Sequence, residues 1–503
     1  MISVRNKEVG YDALRHQYAL KVPPYHRHTS VAAQGGARRR LQRMADGEWH
    51  ILPASYTPNG VNYLAAHLEF ALKHEGVDIS LLAVLFVQAG VGGDLEEYVR
   101  SRPTGQYARR AWFLYEFLTG CRLDLPDATQ GGYVDLLDPA GYVTGTPVNS
   151  PRQRVRNNLL GNTDFCPMVR RTPELEGWMA KQLNRRASEV VAKFAPEILA
   201  RAARYLYMKE TKSSYEIERE RPDQRRMLRF VEALKGANRH PLVDKELLVQ
   251  IQQAMMDERY AEDDYRISQN YVGETAVSGR EIIHHIGARP ENVARLMDGL
   301  VACQQRMRES SIDPIIEAAI VAFGFVYIHP FGDGNGRLHR FLIHQVLSST
   351  GYTPDGLVFP VSATMLTSPR DYDAALESVS RPRLELIQYW LRTDGSMEVT
   401  NDTRDLYRCW DATTVCAYLF GVVERTIEQD LVSELNYLVG YDQAKREMRD
   451  VVDMPDQKVD LFIRLVTENH GKLSATKKSS HFSELMDAEI ERLEEIVVRS
   501  MKP

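Results

Sequence analysis

Two apolar helical runs joined by a polar loop set the strongest limit on how this chain can fold. Residues 314–328, PIIEAAIVAFGFVYI, and residues 341–347, FLIHQVL, read as buried helices, because a helix that is apolar on every side has no face to give to water. Between them stands HPFGDGNGRLHR, His329 to Arg340. A plain turn between buried helices needs one or two glycines. It does not need a histidine, an acid, an asparagine between two glycines and two arginines.

Each residue of the loop suits one chemical task. Asp313 is placed to cap the first helix, with Pro314 at its first position. Pro330 ends that helix, since its ring disfavours αR at the preceding residue. Gly334 and Gly336 allow a tight turn and close approach of backbone to a ligand. A second helix then starts near Asn335 and runs to Ser349, with Gly351 just past its end. The start of a helix, with its unpaired N–H groups and positive dipole end, is an anion site. Arg337 and Arg340, three apart, share one face of its first turns. Cations there work against the dipole by about 0.3–1 kcal/mol each. A phosphate chain between them would offset that cost. Asp333 offers a hard oxygen suited to Mg2+ carried by phosphates. His329 titrates near neutrality and can take a proton from a hydroxyl as it attacks phosphorus. The plain alternative is a glycine-rich turn with solvated charges. It accounts for GDGNG taken alone, and fails for all the specified residues together.

The rest of the chain constrains the setting. At 503 residues it is long enough for about two to four domains. A net charge of -5 argues against bulk attraction to nucleic acid or to an anionic membrane. Cys121, Cys166, Cys303, Cys409 and Cys416 form no CxxC pair, which suggests reduced thiols and a cytoplasmic protein. The start, MISVRNKEVGYDALRHQ, carries no apolar signal core. The apolar run ending at Ile328 is too short to span a bilayer and contains Glu317.

Helical spacing is visible at 64–75, 110–120, 196–220, 244–258 and 290–310. Helical patterns also fill most of 412–501. Residues 137–154 are rich in glycine and proline and read as loop. DYRISQNYVGE and REIIHHIGA read together as a short hairpin. The fold class is therefore mainly α, a helical core with one small hairpin. The basic stretch at 37–44 reads as a solvated helix face. The histidines of YHRH at 25–28, and His284 and His285, lack zinc-site spacing and read as structural or exposed.

The loop matches HPFx[D/E]GNGRxxR at every specified position, and in this it resembles the Fic family. The resemblance implies a helical Fic domain that transfers a nucleotide monophosphate, usually AMP from ATP, to a protein hydroxyl. It implies His329 as general base and Asp333 as Mg2+ ligand. Gly334, Asn335 and Gly336 would bind phosphate, Arg337 and Arg340 would hold the distal phosphates, and Phe331 would anchor the loop in the core. Gly336, where phosphorylating relatives have lysine, favours nucleotidyl transfer. The hairpin at about 264–287 lies where the family has its target-docking flap, to which an extended target segment would add as a strand. Tyr372 either lines the base pocket or packs in a helix core. The resemblance runs from about residue 205 to 395, which divides the chain into 1–190 of unknown role, a Fic domain at 191–395 and a helical region at 396–503.

KETKSSYEIERERP admits two readings. By itself it reads as a capping box, with Ser213 as N-cap and Glu216 reaching back. Beside the loop motif it resembles the family's inhibitory helix, [S/T]xxxE[G/N], at about 205–222. Ser214 and Glu218 are in place, and Arg219 stands where glycine or asparagine is expected. The resemblance thus implies a protein adenylyltransferase using Mg-ATP, held down in cis by Glu218. Its expected partners are ATP and a target protein, with room for a homodimer and none for a membrane. Two alternatives are removal of AMP at the same site and a non-catalytic regulatory or nucleic-acid-binding adaptor.

Overall fold

The computed structural model describes residues 6–32, 39–44, 47–276 and 281–501. The first residues of the N-terminal stretch, two residues of the basic cluster and the tip of the hairpin lie outside that description. The chain is mainly helical. It divides into two compact units, one built from 1–180, 240–346 and 369–420, the other from 181–239, 347–368 and 421–503.

The core of the first unit is the helix Pro314–Ile328, buried at every position from Ile315 onward. Asp313 caps it, its side chain accepting from the Ile315 N–H. Glu317, the one acid in the run, is 1% exposed and fully engaged. It accepts from Arg308 Nη2 at 2.7 Å and from Gln304 Nε2 at 3.1 Å. Both donors sit on the neighbouring helix Pro290–Glu309. A buried carboxylate needs such partners to avoid a large desolvation cost. The second apolar run becomes the helix Asn335–Ser349, followed by Gly351 at φ +68°.

The hairpin forms as expected, Tyr271–Thr275 pairing antiparallel with Glu281–Ile286. Residues 265–270 run outside its strands. Its register shifts between Ile283 and His285.

The N-terminal part holds more strand than its sequence suggests. Four strands lie in the order Lys7–Glu8, His28–Val31, Gly47–Leu52, Arg40–Met44. Residues 40–44 of the basic stretch are thus the edge strand of this sheet, not a helix face. They pair antiparallel with Gly47–Leu52. Within the glycine- and proline-rich stretch, Val148–Ser150 forms a strand against Val155–Asn157. Cys166–Met168 pairs in parallel with Cys409–Asp411. The expected helices at 64–75 and 110–120 appear as Tyr63–His74 and Gln106–Thr119.

In the second unit the helix Pro196–Ile217 carries Glu210 fully buried against Ser362, whose N–H and hydroxyl both donate to its carboxylate. Val432–Arg449 and Asp487–Ser500 pack with Asp456–Glu468 around Phe462, Leu493 and Val497. No helix among the described residues is long and apolar enough to cross a membrane.

Candidate active site

His329 caps the end of the Pro314–Ile328 helix in a left-handed conformation, φ +58° and ψ +59°. A side chain with a Cβ adopts that backbone at a cost of about 1 kcal/mol or more. The turn sends the chain back toward the second helix and folds the imidazole over the last helical turn. Nδ1 lies 3.0 Å from the Val326 carbonyl oxygen. A carbonyl only accepts, so this bond requires the proton on Nδ1 and leaves the lone pair of the neutral ring on Nε2. Nε2 is therefore the nitrogen able to act as a base.

The loop is held from inside. Phe331 is fully buried and meets Tyr265 edge-on and Phe325 at a tilt. Asn335, itself buried, clamps the same residue twice. Its Oδ1 accepts from the Phe331 N–H at 3.0 Å and its Nδ2 donates to the Phe331 carbonyl at 2.7 Å. Its position between two glycines is thus also a structural one. Gly334 adopts φ +87°, and a Cβ there would lie 3.1 Å from Met256 Sδ. Both the conformation and the close sulfur call for glycine.

Asp333 is exposed at the lip, 62% by its side chain. It accepts from the Gly334 N–H and lies 3.4 Å from Arg337 Nη2. Arg337 and Arg340 are buried, at 1% and 0% exposure. The first intrahelical bond runs from Leu338 N to Gly334 O. The N–H groups of Asn335, Gly336 and Arg337 thus precede the first intrahelical donor, as in any first helical turn. An exposed carboxylate, a helix start and two buried guanidinium groups within eight residues suit a metal-bound phosphate chain.

Four neighbours carry signals that local sequence pattern does not reveal. Glu262 places its carboxylate on the Gly332 N–H at 2.8 Å and the Asp333 N–H at 3.3 Å. Burial raises its pKa, partly countered by those bonds. His285 packs 5.7 Å from the His329 ring, centroid to centroid, and its Nε2 meets the Tyr327 carbonyl at 2.9 Å. Burial, then the neighbouring His329 and Arg383, push its pKa well down, so it stays neutral. Arg266 and Asn270 bind the loop backbone from the segment before the hairpin. Only their place in DYRISQN, polar residues in a run read as strand, marks them in the sequence. Tyr372 is buried and stacks with His339 at 6.0 Å and with Tyr418.

Ser214 and Glu218 belong to the second unit. The capping-box reading fails there: the helix starts at Pro196, so Ser213 lies in its interior. The segment is instead the end of a helix. Glu218 is its C-cap, and Arg219 follows at φ +56°. Arg219 N donates to Glu216 O at 2.9 Å and Glu220 N to Tyr215 O at 3.0 Å. That pair of bonds is the Schellman arrangement, whose left-handed position favours glycine or asparagine. The expected small residue after the glutamate thus has a backbone cause, and Arg219 occupies the position under strain. We expect Arg219→Gly to firm this helix end. Relief of about 1 kcal/mol should slow amide exchange at residues 219 and 220 roughly fivefold. Unchanged exchange would mean the turn carries no strain.

Residues 242–347 match the model of the Fic/DOC family. The match spans the hairpin, the first core helix, the loop and the second core helix up to Leu347. The protein adenylyltransferases Fic of Drosophila virilis and Drosophila melanogaster are each 34% identical over 91 residues. That segment is 18% of this chain and 17% and 16% of those proteins, so the chain matches about a sixth of the length of these curated relatives. A Fic family protein from Desulfovibrio desulfuricans G20 aligns over 64% of this chain and 84% of its own, with a TM-score of 0.36 and 16% identity. A Fic domain containing signaling protein from Bacteroides thetaiotaomicron aligns over 51% and 96%, with a TM-score of 0.36 and 17% identity.

Proposed function

The chain carries a Fic/DOC family domain over residues 242–347, and from that premise we propose that it is a protein adenylyltransferase using Mg-ATP. The observation that carries the proposal is the single-tautomer geometry of His329 beside a helix start flanked by buried Arg337 and Arg340. The first supplies a base, the second a seat for phosphates. In the proposed reaction Nε2 of His329 takes the proton of a target hydroxyl as its oxygen attacks the α-phosphorus of ATP. The new P–O bond forms as the bond to pyrophosphate breaks, and pyrophosphate leaves. The target keeps AMP as a phosphodiester. Arg337, Arg340 and the N–H groups at the helix start, from Asn335 to Arg337, hold the phosphates in line. Most of the rate in such a transfer comes from positioning and charge neutralisation. Asp333 would hold Mg2+, which neutralises phosphate charge when bound. The hairpin would seat the target as an added strand.

Incubation with Mg2+, ATP labelled at its α-phosphate and a cell lysate tests this. Protein-bound label supports transfer. Release of AMP from an already modified target, without labelling, supports the hydrolytic alternative, and neither outcome supports an adaptor. Asp333→Ala should weaken Mg2+-dependent ATP binding and labelling together, each by about tenfold, because one carboxylate serves both. Wild-type labelling across a Mg2+ titration would remove Asp333 from the metal site.

We also place autoinhibition in cis with Glu218. Support comes from the sequence pattern around Ser214 and Glu218 and from the left-handed turn at Arg219, which explains the pattern's small residue. Glu218 would engage Arg340, the guanidinium meant for the γ-phosphate, through the bidentate geometry that arginine offers a carboxylate.

A further inference from the structure

Nothing in the Pro314–Ile328 helix by itself makes His329 left-handed. Pro330 disfavours αR at His329, and the segment before the hairpin binds the turn that results. Arg266 is 6% exposed, and its guanidinium lies across the end of that helix. Nε donates to the His329 carbonyl at 2.7 Å, Nη1 to Ser268 O at 2.7 Å, and Nη2 to Ala288 O. Its own backbone N–H donates to Pro330 O at 2.9 Å. Burial lowers its pKa to about 10, so it remains charged at neutral pH. Asn270 extends the same splint, donating from Nδ2 to Phe331 O at 2.9 Å. Three successive carbonyls, those of 329, 330 and 331, are thus held by one short segment. Gly287 completes the fit. A Cβ there would lie 2.3 Å from Asn270 Oδ1, 2.8 Å from Arg266 Nη2 and 3.1 Å from His329 Cβ.

We propose that Arg266 is a positioning residue for His329: by binding the His329 carbonyl it holds the left-handed turn that keeps Nδ1 on the Val326 carbonyl and Nε2 aimed as the base. The proposal rests on the reading of His329 as that base. Without the guanidinium, the backbone at 329 can relax out of its strained conformation. The ring then leaves Val326 O, and its proton no longer has a preferred nitrogen.

Arg266→Met keeps the stem and removes every side-chain donor. Arg266→Lys keeps a cation with fewer and differently placed donors, and is the variant to read should the first not fold. In autolabelling with Mg-ATP, Arg266→Met should lose about tenfold in kcat, as expected for a misaimed base. Its Kd for ATP should stay within about threefold of wild type. Arg266→Lys should regain part of the loss. Nitrogen-15 spectra of labelled histidines judge the proposal without any transfer. The His329 signals are assigned by their loss in His329→Asn. Wild type should show one tautomer, protonated at Nδ1, and Arg266→Met a mixture. A single tautomer with unchanged kcat in Arg266→Met would overturn the proposal. So would a fall in ATP affinity as large as the fall in kcat, which marks a merely structural role. A Glu218→Gly protein that labels nothing would instead overturn the proposed function, while the tautomer spectra still decide the role of Arg266.

Discussion

His329→Ala should abolish labelling while leaving the affinity for Mg-ATP within about tenfold of wild type. A general base acts on the hydroxyl proton as the transition state forms, so its removal costs rate, about 10²–10⁴-fold, and little ground-state binding. The structure sharpens this expectation. The His329 ring bonds back to its own helix through Nδ1, whereas the phosphate-binding candidates Arg337 and Arg340 belong to the next helix and Asn335 clamps the loop without the imidazole. Calorimetry with ATP separates the two roles. Equal losses of binding and rate would make the histidine a structural residue of the turn.

On the proposed autoinhibition, Glu218→Gly should raise autolabelling by about tenfold or more, the effect expected for freeing one guanidinium from a charge-assisted bond. The exposed position of Glu218 at a helix end sets the expectation near the lower bound. The substitution lies at the cap, next to a turn already completed by backbone bonds from Arg219 and Glu220, so the helix should persist. Circular dichroism checks that it does. Matching rates for variant and wild type, with helix content unchanged, would remove Glu218 from regulation. Arg219→Gly separates two further cases through the same assay. Lower background labelling would mean that Arg219 loosens the inhibitory helix, by strain or by competing for Glu218. An unchanged background would mean that its side chain faces solvent and its strain is local.

The elements that hold the site were legible because their signals are local. Asp313 and Pro314 start a helix by capping chemistry, Gly351 follows one by its freedom of φ, and the apolar run between admits only burial. These residues took the expected places. The mainly helical class followed from the same periodicities. What was not legible depends on partners far along the chain. Strands of three residues, such as Cys166–Met168 and Cys409–Asp411, are too short to show alternation and exist because each meets the other. Arg40–Met44 looked like a helix face because clustered charge carries no period. Its pairing with Gly47–Leu52 decides the matter. The Ser213 capping box failed because Ser-x-x-Glu also occurs inside helices, and here the helix had begun at Pro196. Arg266 is the least legible residue around the site. Its donors reach carbonyls about sixty positions away, at Ile328 and His329, and no local pattern announces that.

Transfer of AMP to protein is decided by one paired labelling experiment. The Glu218→Gly protein is incubated with Mg2+ and ATP labelled at either the α- or the γ-phosphate, alone and with lysate. Attack at the α-phosphorus predicts protein-bound label from α-labelled ATP, alone and with lysate, and none from γ-labelled ATP on the purified protein alone, with the α-label lost in His329→Ala. γ-Label on the purified protein alone, or α-label that survives the loss of His329, would contradict AMP transfer by His329.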